Sequence, residues 1–364
     1  AEEESLMRFI RKTRYHQDIE LVKHSGHVLW YGLLLILVFS APLFTNNYLL
    51  GELSQVFIYA IAGSGLMLLV GYTGLVSLGH GAFLAMGAYL HGYLLNLGVP
   101  LPFSLALASV VTALIGGLVS VPALRMTGIY LAVATLAFAV IIEQVMVHWE
   151  TVTGGLRGMA IPRPEVLGFM LGGPREFYYL CLLLLLGSLF LVMNVLRSPS
   201  GRSMLAIRDS ETSAESMGIN LAKTKALAFG LSAGLTAIAG GLIAHRLNYL
   251  FPDSFGLTTS IQLLLMVVVG GLGSIHGILF GALFIGLLPQ LIAIFRDYAP
   301  AQVAQIPGLE PAIFGLILVG FLIYEPLGLY GRWLKIRLFF DEYPLYRKAT
   351  YKRQRAFLQT ERLK

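Results

Sequence analysis

Ten stretches of nearly unbroken apolar residues punctuate this 364-residue chain, at roughly 28–44, 50–70, 80–98, 103–122, 129–148, 177–196, 226–247, 257–269, 278–295 and 311–330. Most approach the about 20 residues that an α-helix needs to cross the hydrocarbon of a bilayer. Hydrocarbon supplies no water to backbone amides, so only helices and closed barrels can satisfy their own hydrogen bonds there. A barrel would alternate polar and apolar residues over strands of about 10 residues, and no such alternation occurs. The fold class expected is therefore an all-α polytopic membrane protein. Composition agrees, with 56% of residues hydrophobic, 13% charged and a mean hydropathy of +0.74. Forty glycines suit helices whose backbones approach closely.

Charge placement orients the chain. With the N-terminus in the cytoplasm, the inside segments are 1–27, 71–79, 123–128, 197–225, 270–277 and 331–364, and they hold 21 of the 26 Lys and Arg. The other five, Arg157, Arg163, Arg175, Arg246 and Arg296, lie outside. This is the positive-inside asymmetry, and it places both termini in the cytoplasm. The pI near 9.3 thus reflects a lipid membrane rather than nucleic acid. The polar first 27 residues lack the apolar core of a cleavable signal peptide. Residues 28–330 form the expected membrane domain. Within it, 149–176, with six glycines, Gly154, Gly155 and Gly158 among them, three prolines and balanced charge, reads as an external loop. The basic tail 331–364 opens with the amphipathic "RWLKIRLFF", suited to the inner membrane face. One span is short: Leu257 to Val269 gives about 20 Å of helix against a core of about 30 Å. It runs into "GGLGSIHG" (Gly270–Gly277). A broken or re-entrant pair here would leave eight full spans without changing the orientation.

The inside segment 197–225 carries a polar island, Arg202–Asn220, with three acids, two arginines and five Ser or Thr. Pro199 and Gly201 interrupt the helix leaving the sixth span, and Arg202–Arg208 is helix-compatible. Asp209 and Ser210 offer N-cap oxygens. Thr212 and Glu215 have capping-box spacing. Gly218 fits the left-handed position that ends a helix. These signals predict a helix over Glu211–Met217, with Ala214 inside it. Seven residues do not hold as an isolated helix, so this one must dock on something.

The run "GRSMLAIRDSETSAESMGINLAKTKALAFGLSAGLTAIAGGLIA" (Gly201–Ala244) resembles the cytoplasmic loop of the LivM-like permease subunits of branched-chain amino acid ABC importers. "GYTGLVSLGHGAFLAMGAY" (Gly71–Tyr89), "MTGIYLAVATLAFAVI" (Met126–Ile141) and "SIQLLLMVVVGGLGSIHGILFGA" (Ser260–Ala282) agree with it, in the expected order. The resemblance implies that Asp209–Gly218 is the coupling helix, with Asp209, Ser210, Glu211, Thr212, Ala214, Glu215, Met217 and Gly218 seating in a groove of an ATPase. It implies as partners a second LivH-like permease subunit, two cytosolic ABC ATPases and an external solute-binding protein, in a bacterial inner membrane. Related permeases move urea, short amides, aromatic acids or other carboxylates. A stand-alone channel or secondary carrier is the reading of a different class, and the docking helix is the feature it leaves unexplained.

The chain has no Gly-Lys pair and so no P-loop. ATP and Mg are expected on the partner ATPases, with no cofactor and no catalysis in this chain. No metal site is expected: Cys181 is the single cysteine, and His80 and His91 on one helix would be about 16 Å apart. Candidate pathway residues come from irregular backbone and buried charge. Irregular backbone at membrane depth survives only inside protein or beside a watery cavity. The candidates are Gly74, Ser77, Gly79, His80 and Gly81 in the first Gly/His stretch, Gly270, Gly271, Gly273, Ser274, His276 and Gly277 in the second, and Glu143, the most embedded acid. Close helix packing is the competing reading of the glycines, hydrogen bonding to carbonyls that of the histidines, and an interhelical bond that of Glu143.

Overall fold

The computed structural model describes residues 25–126, 128–166, 169–170, 172–298, 308–324 and 327–342. The expected N-terminal segment up to residue 24 and the tail beyond residue 342 lie outside the described residues.

Every apolar stretch is a helix. They are α1 (Ser25–Phe44), α2 (Asn47–Leu66), α3 (His80–Asn96), α4 (Leu101–Ala123), α5 (Ile129–His148), α7 (Pro174–Arg197), α10 (Leu221–Leu247), α11 (Leu257–Gly270), α12 (Ile275–Tyr298) and α13 (Leu309–Tyr324). Short helices α6 (Glu150–Thr153), α8 (Pro199–Asp209) and α9 (Glu211–Ser216) fill links, and α14 (Gly328–Glu342) follows the last apolar helix. A π-helical turn, Met67–Gly71, extends α2. Among the described residues, seven helical stretches are long and apolar enough to cross a membrane, Asn47–Gly71 and Leu221–Leu247 among them. The apolar part of α1 (Leu29–Phe44), 17-residue α3 and 16-residue α13 are shorter. The doubtful segment at 257–269 is a helix of 14 residues, and a 3₁₀ turn at Pro252–Phe255 lengthens its approach to 19. It turns at Gly271 and Gly273, both with positive φ, into the separate helix α12.

α2 and α10 form the centre, with α3, α4, α11 and α12 packed around them. Backbone contact between α3 and α10 is what their glycines permit. A Cβ on Gly240 would stand 2.0 Å from the Leu84 carbonyl oxygen, and one on Gly87 would stand 2.3 Å from that of Ala237. In hydrocarbon, where burial of apolar surface does not drive helices together, such close packing is the main attraction between them. α4, α5 and α7 are mostly exposed along their apolar length, as helices bordering lipid are.

The loop read as external, 149–176, is less irregular than its composition suggests. β1 (Met159–Ala160) pairs antiparallel with β4 (Tyr249–Leu250), fastening the loop to the link after α10, and β2 (Glu165–Val166) pairs with β3 (Phe169–Met170). On that same end, Arg246 donates to Glu52 at 3.1 Å and to the Gly51 carbonyl at 2.6 Å. Glu52 is thus paired inside the protein.

Candidate functional site

The polar island is two helices. Ser198 breaks the chain after α7, its Oγ accepts from the Gly201 amide, and Pro199 stands at the first turn of α8, where its missing N–H costs nothing. The expected interruption at Pro199 and Gly201 is therefore a helix start. Gly201 is buried because a Cβ there would lie 2.4 Å from the Val195 carbonyl oxygen.

α9 begins at Ser210, not at Asp209. Ser210 is extended, and its Oγ accepts from the Ser213 amide at 3.2 Å. Asp209 is the last residue of α8. Thr212 is already inside the helix, so Thr212 and Glu215 are not its capping box. The N-cap falls two residues earlier because Ser210 alone takes the extended conformation a cap requires. The stop is as predicted. Gly218 has φ +83°, its amide donates to Glu215 at 2.9 Å, and the Ile219 amide donates to Ala214 at 3.1 Å. That pair of bonds is the Schellman motif.

The island is anchored at two points. Lys225, on the first turns of α10, is fully buried and donates to Glu211 Oε2 at 2.8 Å and to the Ala123 carbonyl at 3.0 Å. The carbonyl is one that the end of α4 leaves without a helical partner. Arg208, at the end of α8, donates to the Gly71 carbonyl at 2.9 Å. Gly71 in turn lies against Gly273, since a Cβ on Gly71 would stand 2.8 Å from the Gly273 amide nitrogen. Both Gly-rich stretches and the island therefore meet at one end of the bundle. Tyr72 sits in this junction. Burial pushes its hydroxyl up to about 12, Tyr330 adds to the rise and Arg208 opposes it.

These anchors decide which face of α9 is free. Ala214 is 2% exposed and points inward. Glu211 is half-buried against Lys225, while Thr212, Ser213, Glu215 and Ser216 are exposed. Met217, at the tip, is 84% exposed.

The candidate pathway residues do not form one site. Gly74, Gly271 and Gly273, all with positive φ, belong to the junction, where a Cβ on Gly74 would stand 3.0 Å from Arg208 Cγ. Gly270 and Gly277 let α11 and α12 touch, a Cβ on Gly270 lying 2.0 Å from the Gly277 carbonyl oxygen, and Ser274 Oγ accepts from the Gly277 amide at 3.2 Å. Deeper in the bundle, Ser77, Gly79, His80 and Gly81 start α3 within a closed cluster of hydroxyls. His80 Nδ1 pairs with Ser77 Oγ at 3.0 Å and Nε2 with Ser232 Oγ at 2.7 Å. The Leu78 and Gly81 amides donate to Thr135 and Ser260 at 2.9 Å each. Its partners are hydroxyls, not the carbonyls expected. His276 is exposed beside the junction, 2.5 Å from the Tyr31 hydroxyl and stacked on Tyr330. Glu143 is half-buried and faces Gly256 at the start of α11, its Oε2 3.9 Å from where a Cβ would stand.

Sequence reasoning missed Arg208 and Lys225 as ties, because partners 137 and 14 residues away leave no local period. It also missed a buried pair at the other end, His91 Nε2 to His245 Nε2 at 2.9 Å, with Ser104 on His91 Nδ1 at 2.9 Å. Ser232 lies in Gly230-Leu231-Ser232-Ala233-Gly234, the spacing of a serine-hydrolase elbow, with a histidine on its hydroxyl. An elbow needs a strained strand-to-helix turn that exposes the serine, whereas Ser232 is fully buried within α10. Among the described residues no three His, Cys, Asp or Glu cluster as metal ligands.

A bundle of apolar helices with this architecture is a multi-pass membrane protein, and its likeness to known proteins specifies the kind. A family model described as the branched-chain amino acid transport system permease component matches residues 48–324, and the chain belongs to that family of transport permease subunits. It is 32% identical over 322 residues to the high-affinity branched-chain amino acid transport system permease protein LivM of Salmonella typhimurium, covering 81% of this chain and 73% of that protein. It is 24% identical to the probable branched-chain amino acid transport permease protein LivM of Methanocaldococcus jannaschii, over 86% of this chain and 94% of that one. It is 27% identical to the autoinducer 2 import system permease protein LsrC of Enterobacter sp., over 80% and 82%. No solved structure matches the chain.

Proposed function

We propose that this chain moves branched-chain amino acids inward as one permease subunit of an ATP-driven importer, in a bacterial inner membrane with both termini cytoplasmic. It works with a second permease subunit, two cytosolic ATPases and an external solute-binding protein. ATP and Mg bind the ATPases, and this chain catalyses no reaction. The substrate class follows the LivM relatives, and the positive-inside count supports the orientation.

One observation carries the reading. A six-residue helix, capped at both ends and pinned from within by Lys225, presents Thr212, Glu215, Ser216 and an almost fully exposed Met217 to the outside of the bundle. A helix so short has no stability of its own, and a large apolar side chain at its tip has no role in holding it. Both features suit insertion into a groove of a partner. Closure of paired ATPases would then displace α9, and the bundle would convert that displacement into alternating access.

The test is co-purification. The tagged chain expressed with its ATPases should retain them, and Met217→Glu should lose them while its own thermal unfolding is unchanged. Retention of both ATPases and full leucine uptake by Met217→Glu would overturn the assignment. Ala214→Arg is the wrong probe, because Ala214 faces the bundle and its replacement would disturb folding as well.

A further inference from the structure

Resting on the coupling role proposed for α9, we infer that Arg208 transmits movement of the docking helix to the crossing of the two Gly-rich stretches, with the Lys225–Glu211 pair as the fixed point. Arg208 is then a positioning residue for transport, one that neither docks the ATPase nor touches the solute.

The geometry separates the two anchors by what they hold. Lys225 ties α9 to the end of α4, and both its partners sit on regular elements: Ala123 on the last turn of α4 and Glu211 on the first of α9. Arg208 instead reaches backbone that has left regular geometry. Its guanidinium holds the carbonyl of Gly71, the last residue of a π-turn. π-turns are rare and concentrate where a helix must yield locally. Beyond Thr73 the chain leaves the helix and passes through Gly74 at φ +75° before α3 begins. On the other side, a Cβ on Gly273 would stand 3.1 Å from Arg208 Nη1, and the Gly273 amide points to Met67 Sδ at 3.2 Å. Gly273 is one of the two positive-φ residues that turn α11 into α12. One side chain thus sits at the end of α2, the start of the link to α3 and the hinge between α11 and α12.

Its connection to the docking element is short and stiff. Only Ser210 separates α8 from α9, and Asp209, beside it, pairs with Arg208 at 3.6 Å. A displacement of α9 about the Lys225 anchor therefore moves the Arg208 Cα. The guanidinium carries that motion to Gly71 and Gly273, where the backbone has the freedom to respond.

Two measurements test this. In the first, hydrogen exchange on the full chain in detergent compares the native protein with Arg208→Gln. Loss of the tie should speed exchange at 71–79 and 271–274 while the α3–α10 core stays protected. In the second, the complete transporter is reconstituted with binding protein, and leucine uptake and ATP hydrolysis are measured together. Arg208→Gln should assemble and hydrolyse ATP, but uptake per ATP should fall about tenfold, within the range usual for coupling between sites. Arg208→Lys, which keeps a donor and the charge, should recover part of that ratio and serves as the readout if Arg208→Gln folds poorly. An unchanged ratio in an assembled Arg208→Gln or Arg208→Lys complex would overturn the inference, as would equal loss of uptake and hydrolysis. If the unmodified chain recruits no ATPase, it is the coupling role of α9 that fails, and the inference goes with it.

Discussion

Lys225 Nζ lies 2.8 Å from Glu211 Oε2, with the lysine side chain fully buried and the glutamate one third exposed. The two residues belong to different helices, and the pair carries α9. A buried ammonium without a partner is far costlier than no ammonium, so the two halves of this pair are unequal. Glu211→Ala, which leaves the buried ammonium only the Ala123 carbonyl, should cost about 3 kcal/mol, the low end for breaking a buried pair because the glutamate is one third exposed. Lys225→Met, which replaces it with a shape-matched apolar chain, should cost clearly less. Thermal unfolding of the two variants in detergent gives the order, and a Lys225→Met protein less stable than Glu211→Ala would show that the pair is not what holds α9.

The stop of α9 depends on one backbone conformation. Gly218 has φ +83° with open space around it, so Gly218→Ala meets no clash and tests conformation alone. A left-handed alanine should cost about 1–2 kcal/mol and loosen the Ile219 to Ala214 bond. ATPase affinity should fall while global stability hardly moves. Isothermal titration of detergent-solubilised chain with the ATPase measures the first, and unchanged affinity would mean that docking ignores the cap.

Contact between α3 and α10 leaves no room for a methyl group. Gly240→Ala places its Cβ 2.0 Å from the Leu84 carbonyl oxygen. Overpacking of this kind costs about 1–3 kcal/mol or more. Gly187→Ala, on α7 with nothing within 4 Å, should be neutral or slightly stabilising. Equal melting curves for the two variants would refute the packing account of these glycines.

His80 is held by Ser77 and Ser232 inside a closed cluster. His80→Phe fits the volume but strands buried hydroxyls, at about 1–3 kcal/mol. A purely structural role predicts that the variant lowers the amount of folded transporter and the maximum uptake rate and leaves the KM for leucine unchanged. A raised KM at normal stability would put His80 on the solute's path.

Arg246 and Glu52 tie α10 to the first turns of α2 at the end opposite α9, with the Gly51 carbonyl as a third member. Arg246→Gln should leave ATPase association intact and destabilise the chain modestly, by about 1–2 kcal/mol for one charge-assisted bond. Loss of association would mean that the two ends of the bundle communicate through this tie.

The features legible in the sequence are the local ones. Apolar length and composition determine the helices, since a backbone in hydrocarbon has no other way to satisfy itself, and α5 falls on the residues read for it, 129–148. Gly218 ends α9 as read, because a left-handed stop is a property of one residue and its neighbours. α9 starts at Glu211 as read, and of the two caps offered, Asp209 and Ser210, the structure uses Ser210 because Asp209 is the last residue of α8. The division of the candidate Gly and His residues among a junction, a helix contact and a buried cluster was not legible, for a different reason. Glycine in a membrane helix is used alike for a turn, as at Gly273, and for contact, as at Gly270, and a sequence contains no sign of which.

By itself, then, the chain's sequence determined that it is a helical membrane protein with a short, capped, polar helix between two apolar ones. Only the tertiary structure decided what that helix rests on. Lys225 pairs with Glu211 and Arg208 with Gly71 because helix packing brings chain ends together at fixed angles, and the energy of a buried charge depends on what stands within about 4 Å of it, not on what precedes it in sequence.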